Sequence, residues 1–112
     1  MQIVGTVREI WRFPVKSMGG ESLTAAQLTA GGLVGDRHWA TRNDSAGEIQ
    51  GAKKMPLLMQ CVARYRGTVG ADALPPVDIT LPDGSATATD DPALGQKLSE
   101  LLERPISLWP AT

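Results

Sequence analysis

QIVGTVREIWRFPVKSMGG, residues 2–20, poses the question on which the reading of the whole chain turns. Across residues 2–13, Ile3, Gly5, Val7, Glu9 and Trp11 fall on one side while Val4, Thr6, Arg8, Ile10 and Arg12 fall on the other, which predicts a strand rich in β-formers. The strand then meets Pro14 and runs through Lys16 and Ser17 into paired glycines. Such a stretch is either an ordinary strand-ending turn or an anion site. An ammonium, a hydroxyl and free backbone N–H groups in a glycine-rich turn are a chemically sensible set of donors for phosphate oxygens.

Outward from this stretch the pattern stays β-rich. ESLTAAQLT (21–29) predicts a weaker strand, and the glycines of TAGGLVGD (29–36) predict a turn that needs positive φ. RHWATRN (37–43), DSAG (44–47) and EIQGA (48–52) predict a hairpin. LLMQCVARYR (57–66) fits a strand or a short buried helix, and its β-rich neighbours favour the strand. After the loop GTVGADALPP (67–76), VDITL and SATAT flank the turn residues Pro82, Asp83 and Gly84 in a second hairpin. DDPALGQKLSELLER (90–104) predicts the one helix, over residues 92–103. Asp90 or Asp91 would be its N-cap, Pro92 would lie in its first turn, and Leu94, Leu98, Leu101 and Leu102 recur at helical spacing. PISLWP (105–110) closes the chain as a last strand. The fold expected is mainly β, a barrel-like, largely antiparallel sheet of about six to seven strands, with the helix packed over one opening or face. With no repeat, low-complexity tract or linker, residues 1–112 are expected to form one domain.

Composition narrows the partners. The 112 residues carry 11 Lys and Arg against 12 Asp and Glu, a formal charge of −1, so no net field favours nucleic acid or a membrane surface. No apolar run approaches the roughly 20 residues of a membrane span, and MQIVGTVREI lacks the charged and apolar regions of a signal peptide, so a cytosolic protein is expected. Cys61 and His38, the only cysteine and histidine, exclude an internal disulfide and a multi-cysteine zinc site.

The residues that bear chemistry gather at two turns. In GGLVGDRHW (31–39), Arg37 follows a second glycine-rich turn and is placed to offer its fork at the same sheet end as Lys16, unless it pairs with Asp36. Lys53 and Lys54 either extend a cationic rim or occupy a solvated loop tip, and their role stays open. His38 has no partner in the sequence for acid–base work and is read as a half-buried strand histidine. Trp11, Trp39 and Trp109 are read as core anchors, and Cys61 as a small hydrophobe with a raised pKa.

Five segments in order, VGTVREIWRFPVKSMGG, GLVGDRHWA, GEIQGAKKMPLLMQC, VDITLPDG and RPISLWP, closely resemble the N-terminal β-barrel domain of MOSC proteins over nearly the whole chain. The resemblance implies binding of the molybdenum cofactor through the phosphate of its pterin, with Lys16, Ser17 and Arg37 as the contacting residues. It also implies reduction of N-hydroxylated compounds by the complete protein. In that family the molybdenum-ligating cysteine lies in a following MOSC domain, which Cys61 does not match. The expectation is therefore a cofactor half-site without catalytic or metal-ligating residues of its own, inactive alone and dependent on a cysteine-bearing MOSC domain in cis or in trans. A part of an active reductase and a non-catalytic structural or interaction barrel are the other readings.

Overall fold

A computed structural model describes residues 10–23, 34–67, 69 and 74–110. Residues 1–9 and 24–33 lie outside the described residues, so the strands predicted over 2–13 and 21–29 are seen only as β1, Ile10–Arg12, and β2, Glu21–Leu23. These pair antiparallel, with Trp11 opposite Ser22. β3, Trp39–Asn43, pairs antiparallel with both β4, Glu48–Ile49, and β8, Ile106–Pro110. β5, Val62–Tyr65, β6, Val77–Thr80, and β7, Ala86–Ala88, form an antiparallel meander. Both predicted hairpins are present, and Gly84 takes the positive φ that the second one needs.

The eight strands fall into three sheets, and no closed barrel forms among the described residues. Two isolated parallel bridges, Val15 to Trp39 and Gly19 to Val62, join two of these sheets through the segment that follows β1. Their side chains share one core, in which Val15, Leu58, Cys61, Ala63, Val77, Ile79 and Leu98 are fully buried.

Three expectations change. Residues 56–60 form a 3-10 helix instead of the first half of a strand, because Pro56 has no N–H to give a ladder and sits at a helical first turn. Leu58 points into the core while Leu57 and Met59 stay exposed, and the strand begins only at Val62. The α-helix, α1, spans Leu94–Leu102, later than expected at its start. Asp91 sits outside it and accepts the Ala93 N–H at 2.9 Å, so the chain passes through a capped turn before the helix proper. α1 lies against β8 and β7, burying Leu98 and Leu102. Finally, Trp11 and Trp109 are not core anchors, being 45% and 49% exposed. On β1 the inward place belongs to Arg12, which is buried over the Tyr65 ring and bonded to Glu21, while Trp109 lies over Arg42 on the outer face of β8.

Candidate functional site

The segment Phe13–Gly20 is clamped from both sides by backbone hydrogen bonds. On one side the Trp39 N–H donates to the Pro14 carbonyl at 3.0 Å, the Lys16 N–H to the Trp39 carbonyl at 2.8 Å, and the Arg37 N–H to the Phe13 carbonyl. On the other, the Gly19 N–H donates to the Cys61 carbonyl at 2.7 Å and the Ala63 N–H to the Gly19 carbonyl at 2.8 Å. Between the clamps the chain turns, with the Met18 N–H reaching the Val15 carbonyl at 3.2 Å and Ser17 at φ 74°. Val15 and Met18 are buried, which leaves Lys16 and Ser17 at the outer tip, Lys16 exposed and Ser17 half-buried. The second glycine of the pair is required by close approach: a Cβ at Gly20 would stand 2.3 Å from the Arg12 carbonyl oxygen.

Ser17 is engaged across the chain. Its Oγ accepts the Ala52 N–H at 3.0 Å, and Gly51 is packed so tightly here that a Cβ on it would lie 2.6 Å from that oxygen. Among the described residues the Ala52 bond is the one the Ser17 hydroxyl makes, as an acceptor, and a hydroxyl also carries one proton to donate.

The Arg37 N–H bonds the Phe13 carbonyl, so Arg37 flanks the chain three residues before Lys16, next to the isolated Val15–Trp39 bridge. Its guanidinium lies 5.3 Å from the centroid of the Phe13 ring, and one nitrogen bonds to Asp36, the pairing that the sequence offered as the alternative to ligand binding. The side chain is nevertheless 58% exposed. Asp36 also accepts the Phe13 N–H at 2.8 Å through its other oxygen, and the Tyr65 hydroxyl donates to the Gly35 carbonyl at 2.7 Å. Burial pushes the Tyr65 phenol up to about 12, so it stays a donor throughout the ordinary pH range.

The positioning roles of Asp36, Gly51, Ala52 and Tyr65 lie beyond sequence reasoning because each is a contact across a long separation. Only the glycine-rich turns hinted at them. The donor types suit a phosphate: the Lys16 ammonium and Ser17 hydroxyl at the tip and, beside Phe13, the exposed Arg37 fork, with Asp36 as its local competitor. It does not fit a metal. Cys61 is fully buried, its Sγ lies 3.8 Å from the Leu57 carbonyl, and desolvation pushes its thiol up, against the thiolate that a metal needs. Among the described residues no group of three or more His, Cys, Asp and Glu is placed to hold a metal ion. His38 is half-buried, edge-on to Trp39 at 5.2 Å. Lys53 and Lys54 are exposed in the turn that Ser17 touches.

A family model described as the MOSC N-terminal beta barrel domain matches residues 4–103. The chain is 36% identical over 63 residues, 53% of its length, to mitochondrial amidoxime reducing component 2 of Bos taurus. It is 30% identical over 86 residues, 73% of its length, to mitochondrial amidoxime-reducing component 1 of Mus musculus, and equally so to that of Homo sapiens. It spans only 19% to 26% of the length of these relatives. No solved structure matches significantly. No described helix is long and apolar enough to cross a membrane, and the relatives are mitochondrial by name, so the cytosolic expectation rests on the sequence alone.

Proposed function

The chain belongs to the MOSC N-terminal beta barrel domain family, and from that premise we propose that it holds the pterin phosphate of the molybdenum cofactor as one half of a reductase site for N-hydroxylated compounds. One observation carries the reading: Lys16 and Ser17 stand at the tip of a turn fixed by backbone bonds on both flanks, with the exposed Arg37 fork on the same seam. A turn held by backbone bonds on both flanks spends little backbone entropy on binding. When bound, the cofactor supplies the redox chemistry. The protein's part is to orient it: Lys16 neutralises phosphate charge, Ser17 donates its hydroxyl proton, and Arg37 offers the nitrogens that Asp36 leaves. A cysteine-bearing MOSC domain, in cis or in trans, supplies the metal ligand, and joining the two half-sites raises affinity through effective concentration.

The test is molybdenum retained after gel filtration of this chain mixed with cofactor, with and without such a domain, followed by amidoxime reduction with an electron donor. Tight retention and turnover are expected only with both parts. Lys16→Gln should lower retention about tenfold, in line with the loss of one charge-assisted contact. Cys61→Ala should leave both readouts within about twofold. Turnover by this chain alone that Cys61→Ala abolishes would overturn the assignment. A second reading, a non-catalytic interaction module, rests on the exposed apolar Leu57, Met59 and Val62, and predicts no cofactor retention in any mixture.

A further inference from the structure

Where the β1–β2 ribbon meets the meander, four side chains gather that the anion site does not use. Trp11 and Ser22 stand directly opposite each other across β1 and β2, and both are exposed. Arg64 is exposed on β5 between the buried Ala63 and Tyr65. Glu21 fastens β2 to β5, its Oε2 accepting the Tyr65 N–H at 3.2 Å and pairing with Arg12 at 3.1 Å. With the backbone of Gly20, these side chains line a surface cleft of ≈ 350 Å³, large enough for a small molecule.

The cleft carries charge of both signs. Arg64 enters no ion pair with a carboxylate among the described residues, and Asp78, opposite it on β6, bonds instead to Arg66 at 2.7 Å. A guanidinium fork is a bidentate partner for a carboxylate. Arg12, 5% exposed, holds Glu21 from the buried side. Both bonds to Glu21 fall on Oε2, and a carboxylate's second oxygen has lone pairs of its own to offer. Trp11, 45% exposed, supplies aromatic surface on which a ring can stack.

We infer that this cleft binds an aromatic α-amino acid as its zwitterion, with the carboxylate on Arg64 and the Ser22 hydroxyl, the ammonium on Glu21 and the ring on Trp11. Charge complementarity selects that class. A carboxylate without an amine would stand beside Glu21 uncompensated, and an amine without a carboxylate would leave Arg64 unmatched, whereas an α-amino acid carries both charges on one carbon. The frame is set before binding: the β1–β2 ladder fixes Trp11 against Ser22, and the Tyr65 bond to Glu21 fixes the strand that bears Arg64. The cleft shares no residue with the set Lys16, Ser17 and Arg37.

Titration of the isotope-labelled chain with L-phenylalanine, followed through the backbone amides by NMR, tests this. Shifts should centre on Trp11, Ser22 and Arg64 and saturate with a Kd on the order of 1 mM, as suits a ligand of that size. Phenylpropionate, which lacks the ammonium, and phenethylamine, which lacks the carboxylate, should each bind about tenfold more weakly through the loss of one charge-assisted contact. Arg64→Gln should weaken L-phenylalanine by a similar factor and leave phenethylamine unchanged, while Trp11→Ala should weaken all three ligands. Varying the ligand's amine tests Glu21 without a substitution there, which would also release Arg12 and the Tyr65 N–H. Phenylpropionate or phenethylamine binding as tightly as L-phenylalanine, or an unchanged affinity for L-phenylalanine in Arg64→Gln, overturns the zwitterion assignment. Shifts centred elsewhere, or no binding of any of the three, overturns the site itself.

Discussion

Asp91 shows how much structure one side chain organises here. Its carboxylate accepts the Ala93 N–H at 2.9 Å and the Thr87 hydroxyl at 2.8 Å, and pairs with Lys97 at 3.1 Å; these bonds, the Ala93 one foremost, pull its pKa down from 3.8 to about 2. A carboxyl whose folded pKa is depressed stabilises the fold above its unfolded value and loses that contribution as pH falls through the folded one. Asp91 is thus expected to protect the fold fully above about pH 4 and to lose this effect toward pH 2. Urea midpoints measured from pH 7 to pH 2 should fall in that window, and Asp91→Ala should lower the midpoint at pH 7 and shallow the acid decline. An unchanged acid decline in the variant would assign the effect to Asp44, Asp83 and Asp90, which hydrogen bonds also hold low. None of this was legible beyond the candidacy of Asp90 or Asp91 as a cap, because Thr87 and Lys97 meet Asp91 only once β7 has been placed beside the helix start.

At the scale of the element, the hairpins were legible because their turn residues have local dihedral demands, and α1 because its leucines repeat at helical spacing. The 3-10 helix over Pro56–Gln60 was not. A short apolar run has no decisive period, and Pro56 decides the matter only through the backbone bond it cannot make. The end of α1 carries a testable strain. Glu103 adopts a left-handed conformation, φ 55° and ψ 39°, at the position where glycine is the usual solution. Glu103→Gly should therefore raise stability by about 0.5–1 kcal/mol, after allowance for the extra freedom glycine has in the unfolded chain. Thermal unfolding by circular dichroism checks the sign, and a lowered midpoint would mean that Glu103 makes a compensating interaction in solution.

For the molecule as a whole, the quoted stretch answers the structural part of the question it raised. Phe13–Gly20 is a strand-ending turn, and its bridges to β3 and β5 make it the seam between two sheets. The candidate residues Lys16, Ser17 and Arg37 were legible as residue types beside glycines. What was not legible is that Ser17 also reaches Ala52, that Asp36 caps Phe13, and that Tyr65 steadies the Gly35 turn, since these contacts cross 35, 23 and 30 residues of chain. The barrel-like sheet expected from the strand-like segments is seen as three small antiparallel sheets, two of them joined by isolated bridges instead of continuous ladders, with no closed barrel among the described residues. The central claim is that this seam presents a phosphate site. Titration of the isotope-labelled chain with inorganic phosphate, followed through the backbone amides by NMR, tests it most directly. The account predicts salt-sensitive shifts concentrated at Lys16, Ser17 and Arg37, strongly reduced in Lys16→Gln and weakened in Arg37→Lys, which loses the planar fork. Shifts elsewhere on the chain, or the same shifts in Lys16→Gln, would contradict it.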